Sequence, residues 1–258
     1  MTLRRRPRLS AAGLCSAFRL RSGWIRRSGE QGRTGFRPKG GQERRDRPAP
    51  GLRPGPRASL RGSTTVGLTG GLGTGKSTVL KFFGFLGAKT WNADEVVRRE
   101  LEVNAALKRK IRDAFGEACL KNGRLDKKKL AAEVFSSPRK VARLERLIHP
   151  IVKKKLAAFL RRNKKGGVAV AEVPLLFETD FYKLFDVTAC VVASPVVRRK
   201  RLLRSHRFTP QDIARRVRRQ MPLSRKSARC DMIINNNGTK SQTYMQVKKI
   251  MEEETWKS

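Results

Sequence analysis

Residues 67–78 read Gly67-Leu68-Thr69-Gly70-Gly71-Leu72-Gly73-Thr74-Gly75-Lys76-Ser77-Thr78, and this stretch decides the fold. From Gly70 to Ser77 it has the form G-x-x-x-x-G-K-S, the pattern of a phosphate-binding loop (P-loop). A strand-like run, 65–69, precedes it. A helix-like run, 76–86, follows, with Val79, Leu80, Phe82, Phe83 and Leu86 as apolar residues. Strand, loop and helix in that order are the context the motif requires. Glycines let the backbone curl tightly and approach a ligand with no Cβ in the way. Successive backbone N–H groups then point into one concavity, and the positive end of the next helix adds to its pull on an anion. Gly70, Gly71, Leu72, Gly73, Thr74, Gly75 and Thr78 are therefore the expected nucleotide contacts. Lys76 reaches the β- and γ-phosphates, and the Ser77 hydroxyl ligates Mg²⁺.

Outward from the loop, residues 63–258 alternate strands with helices. Strands are predicted at 65–69, 88–92, 168–173, 187–192 and 232–234. Their apolar runs suit burial on both faces, as in a parallel sheet. Helices are predicted at 76–86, 94–101, 105–115, 127–135, 139–147, 150–162, 195–204, 210–220 and 241–253. The stretch between the second and third strands, roughly 75 residues, is too long for a simple crossover. It reads as a helical substrate-binding insertion over 95–163. Residues 205–224 are polar, basic and helical, and read as a lid. The fold class is thus α/β: a P-loop NTPase with a five-stranded parallel sheet flanked by helices, a helical insertion and a helical lid.

Charge narrows the partners. The chain of 258 residues carries a formal +39. Residues 1–62 hold 17 Lys+Arg and 3 Asp+Glu, which leaves +25 for residues 63–258. Anionic partners follow: nucleotides, a phosphorylated substrate, or, less favoured, nucleic acid. Cys15, Cys119, Cys190 and Cys230 form no C-x-x-C pair, and with only two histidines a zinc site is not expected. Scattered thiols suit a reducing compartment. No apolar run approaches the roughly 18 residues of a membrane span.

Residues 1–62 contain 16 Gly+Pro and no sustained periodicity, so they are expected to be disordered. Arg4, Arg5, Arg6, Arg8, Arg19, Arg21, Arg26 and Arg27 all precede the first acidic residue, Glu30. Leu14, Phe18, Leu20, Trp24 and Ile25 are interspersed among them. That composition favours a transit peptide and the mitochondrial matrix, with the cytoplasm or a plastid as the alternative.

The domain resembles the dephospho-coenzyme A kinase family along nearly all of 65–250. That family reads G-L-T-G-G-I-G-S-G-K-S-T-V at its loop, as Gly67 to Val79 do with changes at Leu72 and Thr74. Its D-A-D-x-x-x-R is similar to Asn92-Ala93-Asp94 followed by Arg98. Its N-G-x-L-D-R resembles Asn122-Gly123-Arg124-Leu125-Asp126-Lys127. Its L-E-x-x-x-H-P matches Leu144-Glu145 with His149-Pro150, and its P-L-L-F-E is intact as Pro174-Leu175-Leu176-Phe177-Glu178. Its closing pattern is similar to Gln220-Met221-Pro222-Leu223, then Cys230-Asp231 through Asn236 and Gly238.

The resemblance implies transfer of the γ-phosphoryl of ATP to the ribose 3′-hydroxyl of dephospho-coenzyme A. Asp94 matches the catalytic aspartate, 18 residues after Lys76, where a carboxylate can orient or deprotonate the hydroxyl; a helix N-cap is its alternative role. Arg98 holds a substrate anion or makes a surface ion pair, and His149 contacts substrate or serves structure. Pro174, Leu175, Leu176, Phe177 and Glu178 shape the acceptor pocket or pack, and Asn236 and Gly238 lie near the adenine or form an ordinary turn. Glu172, where many members have Asp, would approach Mg²⁺. In the lid Arg201 and Arg216 match family arginines, whereas Ser205 occupies an arginine position that Arg204 and Arg207 flank. Asn92 and Lys127 replace an Asp and an Arg. Two rival readings remain at this point: a small-molecule kinase with a different acceptor, and a weakened P-loop protein with a basic nucleic-acid-binding or regulatory role.

Overall fold

The structure, a computed structural model, describes residues 63–163, 166–205, 213, 217 and 220–252. Its elements in order are β1 (Ser63–Gly70), α1 (Lys76–Phe85), β2 (Lys89–Asn92), α2 (Ala93–Val103), α3 (Ala105–Phe115), a hairpin of β3 (Leu120–Lys121) and β4 (Arg124–Leu125), and α4 (Lys127–Phe135). There follow α5 (Pro138–Arg162), β5 (Gly167–Glu172), β6 (Val187–Val192), α6 (Pro195–Arg204), α7 (Leu223–Ser227), β7 (Met232–Asn235) and α8 (Lys240–Glu252).

β1 is buried from Thr64 onward because it pairs in parallel on both edges, with β5 and with β6. The five strands are all parallel, as the sequence predicts, and run in the order β2-β5-β1-β6-β7. Alternation along the strands divides the core. Val66, Leu68, Val170, Ala189, Val191 and Ile234 pack on one face with Val79, Leu80 and Phe83 of α1 and Val247 of α8. Ala171 packs on the other face with residues of α2 to α5. The parallel crossovers bring Gly70, Asn92 and Glu172, the last residues of β1, β2 and β5, to the carboxyl end of the sheet.

Between β2 and β5 lie the four helices α2 to α5 and the hairpin. Side-chain caps fix their starts: Asn92 for α2, Asn104 for α3, Asp126 for α4 and Ser137 for α5. Each supplies an acceptor to N–H groups that the first turn leaves without helical partners. The hairpin turns on Asn122 and Gly123, both at positive φ (50° and 69°). That is the Asn-Gly signature of a tight hairpin, present in the sequence but not read as one.

Two further points correct the sequence-based elements. The helices expected at 139–147 and 150–162 are one helix, with Pro150 inside it. Val152, Leu156 and Leu160 continue the buried face set by Val141, Leu144 and Ile148. Each gives roughly 1.5–3 kcal/mol on burial, enough to offset the ~3 kcal/mol of an interior proline. Asp94, for its part, does not cap α2. The Asn92 side chain accepts from the Glu95 N–H instead, at 3.1 Å.

The extension 1–62 and most of the expected lid, including Arg207 and Arg216, lie outside the described residues. So does nearly all of the helix expected at 210–220, of which Ile213 and Val217 are described as helical. Cys119, Cys190 and Cys230 carry free thiols. Among the described residues no helix is long and apolar enough to cross a membrane.

Candidate active site

The loop after β1 is closed by its own side chains and held from outside by α6 and the end of β7. Within it, Lys76 Nζ and Thr74 Oγ1 both donate to Gly71 O, at 2.9 and 3.0 Å. Gly75 sits at φ 91°, and a Cβ there would lie 2.2 Å from Asn236 Nδ2. Glycine at this position therefore serves both the left-handed backbone and the close approach of a neighbour. That neighbour braces the loop: Asn236 Nδ2 donates to Thr74 O at 2.7 Å, and its Oδ1 accepts from Thr243 Oγ1 at 2.8 Å.

Helix α6 completes the frame. Arg198 Nε donates to Leu72 O at 2.8 Å, and Arg201 donates to Thr74 O at 3.3 Å and to Asn236 Oδ1 at 3.4 Å. Gln220 Oε1 accepts from the Leu72 N–H at 3.1 Å. The carbonyls of Leu72 and Thr74 are thus held from outside the loop by guanidinium and amide groups. Burial pushes the Arg198 guanidinium down from its ordinary value. Arg201 was expected as a lid residue; it braces the loop from α6. Arg198 and Gln220 were not singled out as site residues. The signal for Arg198 was its place one turn before Arg201 and Leu202, on the face that meets the glycines.

Glu172 lies at the carboxyl end of β5, 3% exposed. It accepts from Ser77 Oγ at 3.2 Å and from Asn92 Nδ2 at 2.7 Å. Burial pushes its carboxyl up to about 7; Lys76 opposes the shift and the charge of Asp94 adds to it. Lys76, Ser77, Asp94 and Glu172 therefore form one electrostatic cluster. A buried carboxyl beside a second carboxylate and a hydroxyl is a donor set that a hard cation stabilises. Mg²⁺ commonly takes one or two carboxylates and fills the rest of its shell with waters and phosphate oxygens. Ser77 and Glu172 fit that group.

The 174–178 turn follows the end of β5. Pro174 and Leu175, with Ala93, Ile148, His149 and Val152 among others, line a cavity of about 30 Å³. Burial pushes the His149 imidazole down. Leu176 is wholly buried in the core, against Gly67. Phe177 is also buried, and its ring lies 5.4 Å from that of Tyr182, with Arg229 over its face at 4.7 Å. Glu178 pairs with Lys226 at 3.0 Å and accepts from the Met221 N–H at 2.8 Å. Lys226, fully buried, was not anticipated; a lysine in a basic sequence carries no sign that it is internal.

Several other residues stand apart from this cluster. Arg98 is exposed on α2, where its charge acts on Glu102. Arg204 is exposed at the end of α6, and Ser205 donates back to Leu202 O. Gly238 is exposed ahead of α8, beside Gln242.

The family model for dephospho-CoA kinase matches residues 64–242. The chain belongs to this family. A dephospho-CoA kinase of Leptospira interrogans is 36% identical over 174 residues, covering 67% of this chain and 84% of the relative. One from Geobacillus kaustophilus is 34% identical over 192 residues, covering 73% and 96%. The crystal structure of a Thermus thermophilus protein matches with TM-score 0.64 and 27% identity, over 74% of this chain and 97% of that one. In this dephospho-CoA kinase family member, the loop lysine and serine and the carboxylates of Asp94 and Glu172 share one end of the sheet.

Proposed function

We propose that this protein transfers the γ-phosphoryl of ATP to the ribose 3′-hydroxyl of dephospho-coenzyme A, releasing coenzyme A and ADP. The observation that carries this reading is the juxtaposition of the phosphate loop with Asp94 and Glu172. Phosphoryl transfer asks a protein mainly for in-line positioning and charge neutralisation. The loop N–H groups and Lys76 bind the β- and γ-phosphates. Lys76 exchanges its contact with Gly71 O for phosphate oxygens. Asp94 sits where a carboxylate can orient the acceptor hydroxyl and take its proton. Mg²⁺, held by Ser77 and Glu172, supplies charge neutralisation at the phosphates when bound. Asn236 and the α6 arginines keep the loop in shape, so binding does not have to order it.

In this reading the acceptor lies along the 174–178 turn, next to Ala93 and hence to Asp94, while the His149 cavity, at about 30 Å³, has room only for a water-sized group. The test is an assay of the purified chain with Mg-ATP and dephospho-coenzyme A, following ADP and coenzyme A. Asp94→Asn is expected to lower kcat by about 10²–10⁴-fold, with nucleotide affinity kept. Lys76→Ala is expected to weaken nucleotide binding as well. A chain that makes no coenzyme A overturns the proposal, and turnover unaffected by Asp94→Asn removes that residue from the chemistry.

A further inference from the structure

Lys226 is fully buried, an arrangement that a lysine rarely adopts without partners. It stands on the short helix α7, and its ammonium reaches both ends of the 174–178 turn, about 50 residues earlier in the chain. It donates to Pro174 O and pairs with Glu178 Oε1 at 3.0 Å. The same Glu178 oxygen accepts from the Met221 N–H at 2.8 Å. Pro174 O also accepts from Thr69 Oγ1 at 3.4 Å, one residue before the phosphate loop begins. Gln220, next to Met221, accepts from the loop N–H of Leu72. One buried cation therefore joins the end of β1, the 174–178 turn and the chain at 220–222.

We propose that Lys226 is a positioning residue for the acceptor side of the site: with Glu178 it fixes the 174–178 turn against Gln220 and Met221, and so sets the wall beside Asp94. The proposal rests on the reading that the acceptor lies along that turn. The charges are what make the clasp specific. Glu178 is itself buried, and its second oxygen has no hydrogen-bond partner among the described residues. Lys226 is the cation that compensates it. Burial pushes the Lys226 ammonium down, and Glu178 pulls it back toward the charged form. Removing one partner of such a pair leaves an uncompensated buried charge, a larger penalty than the pair is worth when intact. The turn then shifts or admits water, with no direct loss of contact to either substrate.

The full chain is compared with Lys226→Met, Glu178→Gln and the double variant. Lys226→Met is expected to lower kcat/KM for dephospho-coenzyme A by about 10²-fold, chiefly through KM. Affinity for a fluorescent ATP analogue stays unchanged. Hydrogen exchange at the Met221 amide speeds up. Glu178→Gln, which keeps the shape of the side chain, shows the same pattern more weakly. The double variant is no worse than Lys226→Met, because both changes break one clasp. An unchanged acceptor KM, an equal loss of nucleotide affinity, or losses that multiply in the double variant would each overturn the proposal. If Lys226→Met does not fold, Glu178→Gln carries the same predictions. If the unmutated chain does not act on dephospho-coenzyme A, the functional reading fails by itself. Exchange at Met221 then still decides whether the clasp exists.

Discussion

Asn92 and Glu172 meet at the carboxyl ends of β2 and β5, where the register pairs them directly. Read from the sequence, they are two unrelated departures from the family pattern, each standing where an aspartate is common. In the structure they are one feature: the Asn92 amide donates to the Glu172 carboxylate at 2.7 Å while its oxygen caps α2. Asn92→Asp would keep the cap, remove the donor and place a further carboxylate against Glu172. Leaving a buried acceptor without its hydrogen bond costs about 1–3 kcal/mol. The melting temperature without nucleotide or metal is therefore expected to fall, and an unchanged melt would show that the pair is dispensable. Local reading could name Asn92 and Glu172 but not join them, because they lie 80 positions apart. The same holds for Arg198 and Leu72, 126 apart.

At the scale of elements, α2 is tied to its neighbours by Glu100. That carboxylate accepts from Asn104 Nδ2 at 2.8 Å, the residue that caps α3, and pairs with Lys155 of α5 at 3.1 Å. Burial pushes the Glu100 carboxyl up, but the hydrogen bonds from Asn104 and Lys155 and the charges of Lys155 and Arg99 together outweigh it and leave it below its ordinary 4.5. A carboxyl lowered by folding stabilises the fold above the unfolded value, and that contribution disappears as pH falls through the folded one. The melting temperature of Glu100→Gln is thus expected to lie below that of the unmodified chain at neutral pH. The gap should close as pH drops below about 4.5, and a gap independent of pH would contradict this account of Glu100. The helices of this region were legible as elements because apolar spacing and Asn, Asp and Ser caps are local signals. The continuity of α5 through Pro150 was not, since packing against α2 to α4 overrides the local preference of proline. The reverse failure occurred at Asn122-Gly123, where a plain local turn signal went unread.

For the whole molecule, the excess of positive charge divides between residues 1–62 and the domain. The arginine-rich, acid-poor composition of the first 30 residues gives a prediction of its own. A fluorescent protein carrying residues 1–62 is expected to enter mitochondria, and a fusion that stays in the cytosol would refute targeting. In the domain, part of the charge has a structural place. Arg198 and Arg201 turn inward to loop carbonyls and Lys226 is wholly internal, so a count of basic residues overstates the free cationic surface. By itself the sequence determined the α/β alternation, the phosphate loop, the family and the identity of the polar residues that gather at the carboxyl end of the sheet. These rest on short-range patterns: strand and helix periodicity, a glycine-rich turn, and motifs each a few residues long. Only the tertiary structure decided what each of those residues touches. It set Asn92 on Glu172, drew α6 and Asn236 around the loop, and folded Leu176 and Phe177 into the core. It also made Lys226 the link between the 174–178 turn and the chain at Met221. These contacts follow from the strand order β2-β5-β1-β6-β7, which brings together atoms from segments remote in sequence. No periodicity within a single segment encodes such a pairing. The loop that opens the domain is therefore legible in the sequence as a binding element, while the frame that holds it becomes legible only once the sheet is assembled.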